Sequence, residues 1–252
     1  MSAHLALRSG NPALGSDTFS HSHAIPISGD DAMTIGGAVN KTALALMVLL
    51  AAATFTWDQG SQGTVPTWWI GFGFFGGFLV ALATVFKQTW APYTTPLYAA
   101  LQGLALGGIS YLFEQSYPGI VSQAVFLTFG TLGALLFAYR SGIIKATENF
   151  KLGIFAATGG IGLVYFLSFI LGFFGISVPL IHSNGTFGIL FSVFVVVIAA
   201  LNLVLDFDFI EEGAERGVPK YMEWYAAFGL LVTLVWLYLE ILRLLMKLQS
   251  RD

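Results

Sequence analysis

The 252-residue chain contains no cysteine. Disulfide scaffolds, zinc–thiolate sites, iron–sulfur clusters, c-type haem attachment and thiol nucleophiles are all excluded by that one absence. Charge is also scarce, with 11 basic and 14 acidic residues making up 10% of the chain and a net charge of -3. A chain with no basic excess cannot neutralise a run of phosphates, so nucleic-acid binding is excluded as a main function. Histidine is nearly confined to the first residues, at His4, His21 and His23, with His182 alone further on. His21 and His23 are two ligands on a polar arm, too few to hold a metal, and His182 reads as a loop residue. HExxH, P-loop and GxSxG patterns are missing, as is a serine–histidine pair within an apolar segment. The sequence therefore predicts no enzyme, no cofactor and no metal site.

What is abundant is apolar surface. Hydrophobic residues make up 56% of the chain and aromatics 15%, the composition of a protein whose solvent is the lipid bilayer. Residues 1–38 stand apart as a polar arm rich in Ser, Gly, Asp and Asn, with turn pairs at Asn11-Pro12 and Ser28-Gly29. Such a segment buries too little to offset its ordering entropy. Residues 39–248 carry seven apolar segments, at Thr42–Trp57, Trp69–Phe86, Pro96–Phe113, Ile120–Tyr139, Gly153–Phe174, Phe187–Leu205 and Tyr225–Leu245. Each is long enough to cross the bilayer as a helix, and none shows the period-2 alternation of a barrel strand. The expected fold is all-α, a polytopic bundle of seven transmembrane helices in one domain.

Lys and Arg set the orientation. Arg8, Lys41, Lys87, Arg140, Lys145, Lys151, Arg216 and Lys220 fall on one side, whereas the connections after the first, third and fifth spans hold none. The N-terminus is thus expected in the cytoplasm. Arg243, Lys247 and Arg251 at the other end break the pattern. Glycine pairs at Gly73/Gly77 and Gly103/Gly107 have the small-xxx-small spacing that lets helices approach closely. Gly159-Gly160 and Gly172 are candidate breaks in the fifth span.

Between these boundaries the first six spans hold no Asp, Glu, Lys or Arg, and the seventh holds Glu240 and Arg243. An unpaired ionised side chain at mid-bilayer costs roughly 3 kcal/mol or more, so Glu240 is either functional or neutralised by Arg243 at i+3. The sixth span ends in Asp206, Asp208, Glu211, Glu212 and Glu215. At 100° per residue Asp206 and Asp208 point about 160° apart, so at most one faces the interior, together with Asn202 four residues before Asp206. The other, Asp208, is expected with the glutamates on a solvated helix end. If Asp206 and Glu240 meet, they share a proton and become pH-sensitive. A turn near Gly217 leaves them roughly 15 Å out of level unless the sixth helix runs past Glu212.

These residues resemble a known family. The Asp206-x-x-x-Ile210 end, the Leu-Tyr-Leu-Glu240-Ile-Leu-x-Leu-Leu run and Pro96-Leu-Tyr-Ala-Ala-Leu-Gln102-Gly103-Leu-Ala-Leu-Gly107 are similar to the Bax inhibitor / YccA membrane family. Asn11-Pro12-Ala-Leu and Asn40-Lys41-Thr are similar to its bacterial branch. The resemblance covers roughly residues 35–248 and implies seven helices with a central last helix. In some members it implies a pH-dependent calcium leak governed by an acidic pair, here Asp206 and Glu240, with Gln102, Asn202, Asp208 and Arg243 supporting them. Glu240 stands where Asp is usual, and Gln102 where Glu is frequent. The resemblance also implies a place in the bacterial inner membrane. Two functions follow: a leak for Ca²⁺ or H⁺, or a non-conducting regulator whose exposed tail engages a membrane protease or stress-response partner. Small-solute export is a third.

Overall fold

In a computed structural model that describes residues 31–63, 67–175 and 185–250, the chain forms seven helices long and apolar enough to span a membrane. They are α1 (Ile35–Ser61), α2 (Thr67–Phe86), α3 (Ala91–Ser116), α4 (Ile120–Arg140), α5 (Glu148–Phe173), α6 (Thr186–Glu215) and α7 (Met222–Gln249). The expected behaviour of the N-terminal arm, its histidines and His182 lies outside the described residues.

The last helix is the axis of the bundle. Every position from Tyr225 to Leu231 is buried, so all faces of α7 are covered. A helix that is apolar all round has no face suited to water and becomes the core. It packs on α6, α1, α3 and α4. Helix α5 is the opposite case. Only 11% of its most apolar window is buried against 61% for α7, and it leans chiefly on α6. Phe75, Phe86, Phe126, Phe173 and Phe187 point outward, each at least three-quarters exposed, as befits side chains whose surroundings are acyl chains.

The glycine pairs do what their spacing suggests, within one chain. A Cβ on Gly103 would lie 2.2 Å from the Leu49 carbonyl oxygen, and one on Gly107 would lie 2.1 Å from that of Ala53. Helices α1 and α3 therefore touch backbone to backbone. Gly73 sits in the same way against the Leu101 carbonyl oxygen, at 2.4 Å. The other glycine expectation is corrected. Helix α5 runs unbroken through Gly159, Gly160 and Gly172, around each of which there is open space.

The helices outrun the predicted spans, and this matters most at charged residues. Lys41 lies in α1, Lys151 in α5, and Asp206 through Glu215 all lie in α6, where the sequence placed the lysines in connections. Charged residues near a bilayer surface can continue a helix because their head groups reach water or a partner. Helix α1 starts at Ile35, four residues inside the predicted tail, with Thr34 as its cap accepting from Gly37 N at 2.9 Å. The tail's root is pinned to the α6–α7 turn: Met33 N donates to Val218 O at 2.7 Å and Lys220 N to Asp31 O at 2.9 Å. Beside it, the fully buried Glu223 accepts from Thr34 N and Oγ1, both at 3.0 Å, and from Lys41 Nζ at 2.5 Å. The start of α1 and the α6–α7 turn thus share one end of the bundle, as the charge pattern requires.

Of the C-terminal cations that break the charge pattern, Arg243 and Lys247 are not loop charges, and Arg251 lies outside the described residues. Lys247 is 1% exposed and donates to Gly188 O at 3.0 Å and Ser192 Oγ at 2.9 Å. Arg243 is ion-paired with Glu240. Cations spent inside the bundle do not bear on the orientation rule, which concerns loops.

Candidate functional site

The two acids singled out by the sequence are both inside the protein, with Asp206 1% and Glu240 2% exposed. They are not side by side. Lys247 of α7 lies opposite Gly188 and Ser192 of α6, which sets the antiparallel register. Asp206 is nine residues from the end of α6 at Glu215, while Glu240 is eighteen from the start of α7 at Met222. At 1.5 Å per residue the two carboxylates stand about 13 Å apart along the bundle. Helix α6 does run past Glu212, but a turn of only six residues follows it, so the offset anticipated from the sequence remains. The acidic pair becomes two acidic stations.

Glu240 has other partners. Tyr165 of α5 donates its hydroxyl to Glu240 Oε1 at 2.9 Å. Arg243 Nη1 reaches Oε1 at 3.1 Å, Oε2 at 3.2 Å and the Tyr165 oxygen at 2.7 Å. The guanidinium also lies 5.2 Å from the centre of the tyrosine ring, within cation–π range. The i,i+3 neutralisation that the sequence offered as an alternative is present, and Tyr165 completes a three-membered knot. The carboxylate is the enclosed member, since the Arg243 side chain is 36% exposed and that of Glu240 only 3%.

On α6, Asn202 donates Nδ2 to Thr158 Oγ1 at 2.9 Å and to Ile198 O at 2.8 Å. Its Oδ1 is buried and has no hydrogen-bond partner among the described residues. One turn on is Asp206. Asp208 corrects a second expectation: instead of a solvated helix end it is bound by Lys151 Nζ at 2.6 Å, on a lysine that is 5% exposed. Of the glutamates beyond it, Glu211 is paired with the Tyr139 hydroxyl and Glu212 with Arg216, both near the surface.

Gln102 belongs elsewhere. A Cβ on Gly77 would lie 2.6 Å from Gln102 Nε2, so this side chain lies over α2 rather than beside α5. Its Oε1 is buried with no partner among the described residues. Nor do the acids line the apolar cavity beside α7. That space, about 200 Å³, lies between α1 and α4 against Leu46, Trp57, Leu106, Val125, Leu234 and Tyr238. It carries no charged wall.

Three residues of this site escaped the sequence reading. Lys151 was assigned to a connection, and Thr158 and Tyr165 looked like ordinary span residues. Their signal was spacing: Lys151, Ile154, Thr158, Ile161 and Tyr165 follow a 3–4–3–4 pattern, the seam of a heptad repeat. The seam is partly polar and so is invisible to a search for apolar periodicity.

The two-station geometry has a direct thermodynamic consequence. Sites farther apart than about 7–10 Å with no shared partner change stability additively, within roughly 0.5 kcal/mol. Asp206→Asn and Glu240→Gln are expected to sum in the double variant when thermal stability in detergent is measured. A double variant equal to either single would mean that the two carboxylates share one site.

Fold and site together define a polytopic helical membrane protein with ionisable groups sealed inside its spans. Residues 10–250 match the family described as Bax inhibitor 1 like. The chain belongs to the Bax inhibitor family. No curated protein and no solved structure matches it.

Proposed function

We propose that this protein is a pH-sensitive cation leak of the inner membrane, passing Ca²⁺ or H⁺, with Asp206 and Glu240 as its acidic stations and no catalytic activity of its own. The observation that carries this reading is the burial of two carboxylates at two depths within the spans. An ionisable residue in a transmembrane helix is expensive, and its usual reason is an ion or proton path. Glu240 is held by a tyrosine and an arginine, a partnership that protonation would weaken. The resemblance noted in the sequence leads to the same activity, and the count of Lys and Arg leads to a cytoplasmic N-terminus.

A second reading has one observation in its favour. Residues 31–34 are bound to the α6–α7 turn and to Glu223 at the head of the central helix. A partner drawing on the tail, such as a membrane protease, would pull on α7 directly. In that case the protein is a non-conducting regulator.

Flux into proteoliposomes separates the two. Purified wild type should carry Ca²⁺ or H⁺ above empty liposomes, and Glu240→Gln should change the rate. If inserted protein carries neither ion, the leak is wrong. Removal of residues 1–30 should then abolish capture of a protease partner.

A further inference from the structure

Helix α5 is fastened to the bundle in an unusual way. In lipid, helices associate through close packing of small and apolar residues, as α1, α2 and α3 do here. Helix α5 turns its glycines away instead: Gly153, Gly159, Gly160 and Gly162 all border open space. The face it turns inward is Lys151, Ile154, Thr158, Ile161 and Tyr165. Its two isoleucines are 6% and 3% exposed. Its three polar members form rungs seven residues, or about 10 Å, apart. Lys151 holds Asp208, Thr158 holds Asn202, and Tyr165 holds Glu240 with Arg243.

The polar groups continue to both ends of the seam. Asp206 lies between the first and second rungs on α6, and Lys247 extends the line to Ser192 and Gly188. From Asp208 to Gly188 is twenty residues, about 30 Å, the thickness of the hydrocarbon layer. The charged groups facing the seam are Glu148 and Lys151 from α5, Asp208 from α6, and Glu240, Arg243 and Lys247 from α7, with the buried Asp206 two residues before Asp208 on α6. At its middle, Asn202 Oδ1 is a buried acceptor without a partner among the described residues. Such an atom costs about 1–3 kcal/mol unless water or an ion meets it.

We propose that the groove between this face of α5 and the α6–α7 pair is the hydrated route of the cation, and that α5 is the wall that moves to open it. The inference rests on the leak reading and places its path: the rungs are the closures, and the weakly packed helix is the element they release. Between the rungs, Ile154 and Ile161 pack on Val195, Ile198 and Leu205 of α6, so the apolar hold on α5 is a narrow strip. Polar rungs can be exchanged for water, which makes them suited to a wall that opens.

The absence of native cysteine makes the test clean. Single cysteines at Thr158→Cys and Ile161→Cys, both on the seam, are compared with Ser110→Cys beside the apolar cavity and Leu163→Cys on the lipid face. Each is exposed in proteoliposomes to a membrane-impermeant methanethiosulfonate reagent under the conditions in which wild-type flux is measured. Because such reagents attack the hydrated thiolate, the seam cysteines should react about tenfold faster than either control, or more. If they react no faster than Ser110→Cys while the wild type conducts, the seam is not the route and the leak reading stands. If they react fast but the wild type carries no ion, route and leak both fall, leaving a hydrated cleft. Two seam positions guard against one variant failing to fold.

Discussion

Arg243→Ala is expected to destabilise the protein more than the loss of a surface ion pair would, and Glu240→Gln on the same background is expected to restore most of the loss. The reason is the unequal enclosure of the pair. Glu240 is 2% exposed and accepts from both Arg243 and Tyr165. With the guanidinium gone, a buried carboxylate keeps only neutral donors, Tyr165 and Trp236. Stranding one member of a buried pair costs about 3–5 kcal/mol, and the partial exposure of Arg243 lowers the expected figure to roughly 2–3 kcal/mol. For a domain of this size that is a fall in Tm of about 5–10 °C. Glu240→Gln removes the stranded charge and keeps an acceptor for the Tyr165 hydroxyl. Thermal unfolding in detergent of the two singles and the double decides it. A double variant no more stable than Arg243→Ala would show that packing by Arg243, and not its charge, holds this end of the seam.

The second large effect is steric and changes sign with position. Gly107→Ala places a methyl group 2.1 Å from the Ala53 carbonyl oxygen and 2.2 Å from Thr56 Oγ1, itself fully buried. Neither neighbour can step aside without moving α1. The expected cost is about 1–3 kcal/mol, the range for overpacked interiors. Gly159→Ala is the same change in open space on the outer face of α5. There the gain in helix propensity, up to about 1 kcal/mol, should leave stability unchanged or raised. Equal losses at both positions, measured by thermal unfolding, would contradict the α1–α3 contact described above.

Much of this fold was legible because the bilayer simplifies the problem. Apolar length alone marks a span, and glycines four apart mark a close helix contact, here realised at Gly103 and Gly107. Glu240 was legible for the same reason: a carboxylate in an uncharged run has no bland explanation except a nearby cation, and Arg243 is that cation. The level at which a residue sits was harder to read. The direct pairing of Asp206 with Glu240 depended on where α6 stops and α7 starts, and the short turn between them keeps the acids apart. Lys151 and Lys247 were misread, and Glu223 escaped the sequence reading, for one shared reason. Each lies within a turn or two of a span end, where a charge normally faces water, yet each is at most 5% exposed and paired. Composition does not reveal which end residues turn inward. The partners that draw them in, Asp208, Lys41 and Ser192, come from other helices.

The central claim is that carboxylates sealed in the spans govern a cation leak. Its most direct measurement is Ca²⁺ and H⁺ flux in proteoliposomes at about pH 6, 7 and 8, for wild type, Asp206→Asn and Glu240→Gln. Protonation of Glu240 removes the negative partner that holds Arg243 in place, so wild-type flux should rise as pH falls. The dependence on pH should flatten in Glu240→Gln because that closure no longer titrates, and in Asp206→Asn because the other buried carboxylate no longer does. Flux that ignores pH in the wild type, or a pH profile unchanged in both variants, would contradict the account.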